Sequence, residues 1–295
     1  MADRQVHQQE VLCFLQQHFS VHDWSFSLPR GTGAETYVVR GDERDYFVKV
    51  GAPVERYAAM AEIGLTPSVL ARGQLENGAS IMVQPLIAGR MPSRKDYWNR
   101  LEAVAGVIRE MHHHPRVRET LPPALSNLHK DAGLQVLNDI RQRWERYKSL
   151  VPNVARFVDD SLEYLAQQVN SFSGEGLVSS HNDICNANWL FASDGEIYII
   201  DLDSMSADDP ALDLGALLWW YYPPELRGRF LEAAGYRYDD EFKLRMQIRM
   251  AMHCLHITLP REESFDEFDP NEYEEWLTDF KAILNGKENP QGYSE

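Results

Sequence analysis

Residues 179–203, SSHNDICNANWLFASDGEIYIIDLD, carry the most specific pattern in the sequence. Two short hydrophobic runs, NWLFA and EIYII, are joined by Ser-Asp-Gly, and Asp-Gly between such runs is a strong signal for a β-hairpin. A hairpin returns the chain beside its start. Asp183 and Asn188, which precede it, are therefore expected to converge with Asp201, which follows it.

The side chains expected to converge carry oxygen ligands, two carboxylates and an amide. Such hard oxygens suit magnesium and its bound phosphates, and one carboxylate remains to receive or orient a hydroxyl. Metal-dependent hydrolysis would use the same oxygens. It usually adds histidines at ligand spacing, however, and this stretch offers only His181.

Two motifs in this stretch carry a family resemblance. His181, Asp183 and Asn188 fit the pattern H-x-D-x-x-x-x-N, and Asp201 and Asp203 fit I-D-x-D. Together they resemble the catalytic loop and the magnesium-binding segment of the aminoglycoside phosphotransferase and choline kinase family, which shares the protein-kinase fold. Asp201 follows Asp183 by 18 residues, enough for a loop and a tight hairpin.

The rest of the chain agrees with a two-lobe fold. From Trp24 to Val50 apolar and polar residues alternate, which predicts a three-stranded antiparallel meander, and a helix is predicted over 54–63. The resemblance implies an α+β, protein-kinase-like fold. A small antiparallel β lobe for nucleotide binding is expected at 1–88, and a larger, mainly helical lobe at 89–295. Other predicted elements are helices over 6–19, 97–113, 134–150, 154–169, 211–222, 224–234 and 240–258, a strand over 80–84 and a frayed C-terminal tail.

The resemblance implies roles for the residues of the two motifs. Asp183 is expected to be the catalytic base or the carboxylate that orients the acceptor hydroxyl, and Asn188 and Asp201 are expected to hold Mg2+ on the nucleotide phosphates. For Asp203, three roles stay open: binding a second ion, binding an amine of the substrate, or capping the next turn. The aspartate that matches Asp213 is expected to order the catalytic loop.

The smaller lobe supplies the expected nucleotide contacts. Lys49, in DYFVKV, lies where the family places its phosphate-binding lysine, and Glu55 is the expected ion-pair partner, with Glu62 as the alternative. Gly31 and Gly33 resemble the glycines of the loop that covers the nucleotide, although the full GxGxxG pattern is lacking.

Gln84, Pro85 and Leu86 fall where the family's hinge receives the adenine. Proline has no N–H, so the backbone donor must come from a neighbouring residue, and Gln84 and Leu86 are the candidates.

The acceptor is the least determined part of the prediction. Trp219 and Trp220 lie at the offset where choline kinases place the rings of a cation-binding cage, but packing of the apolar helix ALLWWYY explains them as well. Acidic residues crowd the C-terminal region, where they fit either a polyamine sugar or a solvated face. These residues are Glu262, Glu263, Asp266, Glu267, Asp269, Glu272, Glu274 and Glu275.

Composition excludes several classes of protein. The net charge of −16 and pI of about 5.0 would repel a nucleic-acid backbone. The N-terminus lacks the apolar core of a signal peptide, and no run reaches membrane-spanning length. The 3 cysteines make no CxxC pair. A cytoplasmic protein without a membrane partner is predicted, and its oligomeric state is left open.

The sequence thus predicts a small-molecule kinase that transfers the γ-phosphate of ATP or GTP to a hydroxyl of a small, cationic acceptor such as an aminoglycoside. Two alternatives stay open: a choline or ethanolamine kinase, and a catalytically silent nucleotide-binding module. A protein kinase is disfavoured, because Asn182 replaces the arginine of that class and no A-P-E segment follows Asp201.

Overall fold

The chain forms two compact units in the computed structural model, which describes residues 2–20, 24–27, 35–42, 44–260 and 268–293. Unit 1 comprises residues 1–91 and 187–204, and unit 2 comprises residues 92–186 and 205–295. The sequence predicts that the hairpin belongs to the larger lobe. The structure places it in unit 1 instead, because its first strand pairs with a short strand at Gly89–Arg90.

The main sheet of unit 1 contains five strands. They are β1 Ser25–Ser27, β2 Thr36–Arg40, β3 Asp45–Val50, β4 Ala71–Gln74 and β5 Ser80–Pro85. All pairs are antiparallel, in the order β1-β2-β3-β5-β4. The predicted meander of the first three strands is confirmed. Strand β4 could not be predicted from its sequence, ARGQ, which carries almost no apolar alternation.

The core of unit 1 fixes the direction of Lys49. Alternate residues of β3 point to opposite faces of the sheet. Val48 and Val50 are buried in a hydrophobic cluster, which helix α1, Ala2–His18, covers with Leu15 among other residues. Lys49, which lies between the two valines, therefore points to the other face.

Helix α2, Val54–Glu62, buries Arg56, Tyr57, Ala59 and Met60. It ends before Gly64, as predicted. Gly64 has a φ of 75°, a conformation that suits glycine, and the following Leu65 N–H donates to the Met60 carbonyl at 2.9 Å. This turn ends the helix and leads the chain back to β4.

Five short strands complete the two units. They are β6 Gly89–Arg90, β7 Val178–Ser180, β8 Trp189–Ala192, β9 Ile197–Ile199 and β10 Ser206–Asp208. In unit 1, β6, β8 and β9 form a three-stranded antiparallel sheet. In unit 2, β7 pairs antiparallel with β10, a pair that the sequence reading did not predict.

Unit 2 is mainly helical. Its helices are α3 Arg94–Asn99, α4 Leu101–His113, α5 Pro115–Arg118, α6 His129–Tyr147, α7 Pro152–Asn170, α8 Ala211–Tyr221, α9 Pro224–Ala233, α10 Asp240–Ile257, α11 Tyr273–Trp276 and α12 Thr278–Leu284. Residues 211–219 of α8 are all buried, and α8 packs closely on α10. A Cβ on Gly215 would lie 2.7 Å from the Met246 carbonyl, so this close approach requires glycine. Within the described residues, no helix is long and apolar enough to cross a membrane.

Two sequence predictions in unit 2 need correction. The single helix predicted over 97–113 is two helices, because α3 begins earlier, at a capping box formed by Ser93 and Asp96, and ends at Arg100. The predicted frayed tail is also wrong for its described part. Asn289 is buried, and the Tyr293 hydroxyl donates to the Trp219 carbonyl at 3.0 Å, so these residues pack on the end of α8.

Candidate functional site

The hairpin of unit 1 brings Asn188 and Asp201 to the same end of its two strands. Trp189 of β8 lies opposite Ile199 of β9, and the Ile200 N–H donates to the Asn188 carbonyl at 2.9 Å. Asn188 and Asp201 directly flank these pairs, so their predicted convergence is confirmed. The third predicted member, Asp183, belongs to unit 2, and its convergence with them stays a prediction.

The ammonium group of Lys49 lies between two carboxylates. Its Nζ is 2.7 Å from Asp201 Oδ1 and 2.6 Å from Asp203 Oδ2. Burial lowers the pKa of Lys49, but Tyr57 and hydrogen bonds to Asp201 and Asp203 outweigh burial and leave this pKa raised. Lys49 is therefore a fixed positive charge. Both carboxylates keep about half of their side-chain surface exposed, at 53% and 46%.

The segment after Asp201 is held by α2. Asp201 has a φ of 58°, unusual for a residue other than glycine, and a 3-10 turn follows at Leu202–Ser204. The buried Arg56 donates from Nη1 to the carbonyls of Leu202 at 2.7 Å and Asp203 at 3.0 Å. These bonds fix the turn that presents Asp201 and Asp203.

Tyr57 makes the second set of contacts from α2. Its hydroxyl accepts hydrogen bonds from Lys49 Nζ at 3.2 Å and from the Leu202 N–H at 3.0 Å, and it donates to Asp203 Oδ1 at 3.2 Å. Tyr57 is not among the site residues that the sequence motifs predict. A single buried tyrosine near the start of the helix that follows Lys49 does not by itself indicate a site residue.

The predicted pairing of Lys49 with Glu55 is wrong. Glu55 Oε2 accepts instead from Arg72 Nη1 at 2.9 Å, and its side chain is 77% exposed. Successive helical residues lie 100° apart, so the burial of Tyr57 turns Glu55 toward solvent. Glu62, the alternative partner, is exposed as well.

The predicted hinge is only partly available to a nucleotide. The side chain of Gln84 is buried and donates to the Pro67 carbonyl at 2.5 Å. The Leu86 N–H donates to the Asp45 carbonyl at 2.9 Å, which continues the pairing of β5 with β3. This bond excludes Leu86 as the backbone donor to a base. Gly31 and Gly33, predicted to cover the nucleotide, lie outside the described residues.

In unit 2, Asp213 organises the loop that carries the H-x-D motif. Its Oδ2 accepts from the His181 N–H at 2.7 Å, and its Oδ1 accepts from the Asn182 N–H at 2.9 Å. Asn182 has a φ of 65°, and its side chain donates to Ser206 Oγ at 2.8 Å. The predicted ordering role of Asp213 is thereby confirmed.

A buried histidine completes the surroundings of Asp213. His112 Nε2 lies 3.1 Å from Asp213 Oδ2, and its Nδ1 lies 2.7 Å from the Tyr236 hydroxyl. Burial alone would raise the pKa of Asp213, but His112 and the His181 backbone hold this pKa below its ordinary value. His112 lies in the last turn of α4, which turns its side chain inward, where it is buried.

Asp183 follows this ordered turn directly. It is partly buried, and its N–H donates to His181 Nδ1 at 3.3 Å. His181, two residues earlier in the loop, is itself bonded to Asp213. The backbone of Asp183 is therefore fixed to Asp213 through His181. Three residues after Asp183, the Asn186 N–H donates to the Tyr221 hydroxyl at 2.9 Å. Both ends of the loop are thus held by α8.

The aromatic run on α8 divides into different roles. Trp219 is buried, and its indole N–H donates to the Lys287 carbonyl at 3.1 Å, which favours core packing over the predicted cage. Trp220 is partly exposed and donates to Asp279 Oδ2 at 3.1 Å. Tyr221, which the sequence analysis did not select, contacts the loop. Its position at i+8 from Asp213 places it on the same face of the helix and could have identified it.

Half of the acidic C-terminal residues can be located. Glu262, Glu263, Asp266 and Glu267 lie outside the described residues. Of the others, Glu274 Oε1 lies 3.2 Å from Lys281 Nζ, and the Asp269 carboxylate accepts from the Asn271 backbone and side chain. These contacts are those of a solvated surface.

Comparison with known proteins gives one family and one fold. A model of the phosphotransferase enzyme family matches residues 22–246. Similar solved structures include a spectinomycin phosphotransferase in complex with ADP and spectinomycin, which is 14% identical over 92% of this chain and 93% of its own, with a TM-score of 0.57.

Two other similar structures show the same fold at comparable identity. A choline/ethanolamine kinase family protein from Mesorhizobium loti is 17% identical over 99% of this chain and 96% of its own, with a TM-score of 0.65. A GDP complex of an aminoglycoside 2′-phosphotransferase is 13% identical over 94% and 98%, with a TM-score of 0.65. The likeness confirms the predicted protein-kinase-like, α+β fold.

Proposed function

The chain belongs to the phosphotransferase enzyme family, and on that premise we propose that it transfers the γ-phosphate of ATP to a hydroxyl group of a small, cationic molecule. One observation carries this proposal. Lys49, Asp201 and Asp203 bring a fixed ammonium and two half-exposed carboxylates together, as nucleotide phosphates and their counter-ion require.

Magnesium fits the residues of the hairpin. The amide oxygen of Asn188 and the carboxylate of Asp201 emerge at the same end of β8 and β9, and Mg2+ usually takes one or two such protein oxygens beside phosphates and water. When bound, the ion would neutralise charge on the nucleotide phosphates. Lys49 would then contribute its positive charge to the same phosphates.

The edge of β5 supports adenine as the base of the donor nucleotide. The N–H of Leu86 faces β3, so by alternation the Pro85 carbonyl and the Ile87 N–H face the opposite edge. Among the described residues, the Ile87 N–H has no hydrogen-bond acceptor. The Pro85 carbonyl could accept from the amino group of adenine, and the Ile87 N–H could donate to its N1. Guanine would present an acceptor, O6, to the carbonyl and a donor, N1–H, to the N–H.

Asp183 is proposed as the base or hydroxyl-orienting carboxylate on the acceptor side. The fixed backbone on both sides of it supports this role, because phosphoryl transfer depends mainly on position and charge. Burial raises the pKa of Tyr221 to about 12, so this phenol beside the loop stays protonated and neutral. Of these two groups, the carboxylate of Asp183 is therefore the base that could take a proton from the acceptor.

A cationic acceptor is supported by the surroundings of the loop in unit 2. Trp220 presents part of its ring, with Asp279 on its indole N–H, and the whole chain carries a net charge of −16. The similar structures are named for spectinomycin and for choline or ethanolamine, which are amines with hydroxyl groups. An amino-alcohol kinase is the second candidate, and Trp220 with its aromatic neighbours is the observation that favours it.

The test begins with a thermal-shift screen of the whole protein with magnesium ATP and a panel of aminoglycosides, choline, ethanolamine and uncharged sugars, since a bound ligand raises the melting temperature. Phosphorylation of each compound that binds is then measured for wild type, Asp183→Asn and the exposed control Asp160→Asn. We expect Asp183→Asn to lose turnover by about 1,000-fold or more while magnesium ATP affinity changes by less than about threefold.

Three outcomes would change the proposal. Wild-type turnover in Asp183→Asn would remove Asp183 from its role. Phosphorylation of uncharged sugars alone would overturn the cationic acceptor. Tight binding of magnesium ATP without turnover of any compound, and without slow hydrolysis, would favour a silent nucleotide-binding module instead.

A further inference from the structure

The hydroxyl of Tyr57 joins three elements of unit 1. It contacts Lys49 on β3, and it contacts Leu202 and Asp203 in the turn after the hairpin, at distances of 3.0–3.2 Å. We propose that Tyr57 is the positioning residue for Lys49, and that it takes the place that an acidic residue of α2 was expected to fill. This inference rests on the proposed function, in which Lys49 meets the nucleotide phosphates.

The chemistry of a phenol suits this junction better than that of a carboxylate. A hydroxyl has one donor and two acceptor positions, and Tyr57 uses all three: it accepts from Lys49 and Leu202 and donates to Asp203. An ionised glutamate at this position could accept from Lys49 but could not donate to Asp203.

The charges around Lys49 support the same conclusion. Asp201 and Asp203 already lie within 2.7 Å of its Nζ, so a third carboxylate would surround one ammonium with three negative charges. Such a set would repel the phosphates that Lys49 is proposed to bind. A neutral hydroxyl orients the ammonium without adding negative charge.

Two buried residues of α2 hold the junction in place. Tyr57 is 2% exposed, and burial raises its pKa, so it remains a protonated donor at neutral pH. The preceding residue, Arg56, is also buried and holds the carbonyls of Leu202 and Asp203. Two successive residues of α2 therefore fix the turn, while Tyr57 alone reaches Lys49.

A double-mutant cycle on the full-length protein tests this role. Dissociation constants for magnesium ATP and for adenosine are measured for wild type, Tyr57→Phe, Lys49→Met and the double variant. We expect Tyr57→Phe to weaken magnesium ATP binding about tenfold and to leave adenosine binding unchanged, because adenosine lacks the phosphates that Lys49 meets. Added to Lys49→Met, Tyr57→Phe should cause no further loss.

Tyr37→Phe is the matched control, since Tyr37 is another buried tyrosine of unit 1, at 2% exposure. It should leave magnesium ATP binding within about twofold of wild type. Retained adenosine binding shows that each variant is folded.

The possible results separate the two proposals. If wild type binds magnesium ATP but the losses from Tyr57→Phe and Lys49→Met add, Tyr57 acts only as a packing residue and the inference is overturned. An unchanged affinity in Tyr57→Phe overturns it as well. If wild type does not bind magnesium ATP at all, the proposed function fails, and the inference fails with it.

Discussion

Asp213 and Asp201 are both aspartates with close hydrogen-bond partners, but they differ in what surrounds them. The side chain of Asp213 is fully buried, and its two oxygens accept from two backbone N–H groups, with His112 at 3.1 Å. The side chain of Asp201 is 53% exposed and meets the single ammonium of Lys49 at 2.7 Å. One carboxylate is enclosed by the chain, whereas the other keeps open surface.

This difference separates a structural from a functional carboxylate. An oxygen that is enclosed and already bonded can order a loop but cannot bind a ligand, and removing it leaves its donors buried without an acceptor. An oxygen with open surface contributes little to stability, because water can replace its partner, but it remains available to a metal ion or a phosphate group. The comparison can be tested by changing each carboxylate and measuring both stability and activity.

The largest expected effect is on activity and comes from Asp201. Asp201→Asn should lower kcat/KM by about 1,000-fold, because the proposed metal site loses its only charged ligand, while the melting temperature stays within about 2 °C of wild type. Steady-state kinetics and thermal unfolding check both parts. Asp203→Asn serves as the paired variant and should lose about tenfold or less. An equal loss in both would mean that the two carboxylates share the metal.

The second effect is on stability and comes from Asp213. Asp213→Asn should lower the free energy of unfolding by about 3 kcal/mol, because the amide offers one acceptor oxygen to the N–H groups of His181 and Asn182 and places an N–H₂ against one of them. Urea unfolding at neutral pH measures this change. A loss below about 1 kcal/mol would contradict the enclosed role of this carboxylate.

The third effect is the pH dependence of the contribution that Asp213 makes to the free energy of unfolding. The pKa of Asp213 in the folded chain lies below its ordinary value of 3.8, so folding favours the ionised form. The stabilisation is therefore fully present above pH 3.8 and is lost as pH falls through the lower folded pKa. The difference in unfolding free energy between wild type and Asp213→Asn should stay constant from neutral pH to about pH 4 and shrink below it. A difference that already shrinks between pH 7 and pH 5 would contradict the lowered pKa.

The smallest expected effect comes from Glu55. Its carboxylate is exposed and pairs only with the surface residue Arg72 among the contacts of the described residues. Glu55→Gln should change both kcat/KM and the nucleotide dissociation constant by less than about twofold, and the unfolding free energy by less than about 0.5 kcal/mol. A tenfold loss of activity would contradict this expectation and would indicate that Glu55 pairs with Lys49 during the reaction.

Local patterns predicted the parts of the molecule that depend on short-range geometry. The Asp-Gly turn identified the hairpin, and apolar alternation identified the strand that carries Lys49. The positions of Asn188 and Asp201, just before and just after the hairpin, identified them as neighbours. In each case the result follows from residues that are close in sequence, so the sequence carries enough information to predict it.

Contacts between distant segments were not predictable in the same way. Glu55 and Tyr57 are two residues apart, and only the direction in which α2 packs decides which of them reaches Lys49, 8 residues before Tyr57. His112 meets Asp213 across 101 residues. Leu86 lost its predicted role because pairing with β3 continues two residues beyond the strand predicted over 80–84. Tertiary packing determines each of these outcomes.

Unit 1 is built from two separate segments of the chain, and this affects the order in which the protein can fold during synthesis. Its strand β6 pairs with β8, and the Ile199 N–H donates to the Leu65 carbonyl at 2.8 Å, so residues before 92 depend on residues after 186. On the ribosome, the N-terminal segment emerges first but stays incomplete until residue 204 has been synthesised. Lys49 therefore has neither of its carboxylate partners, Asp201 and Asp203, until residues 92–186 have been translated.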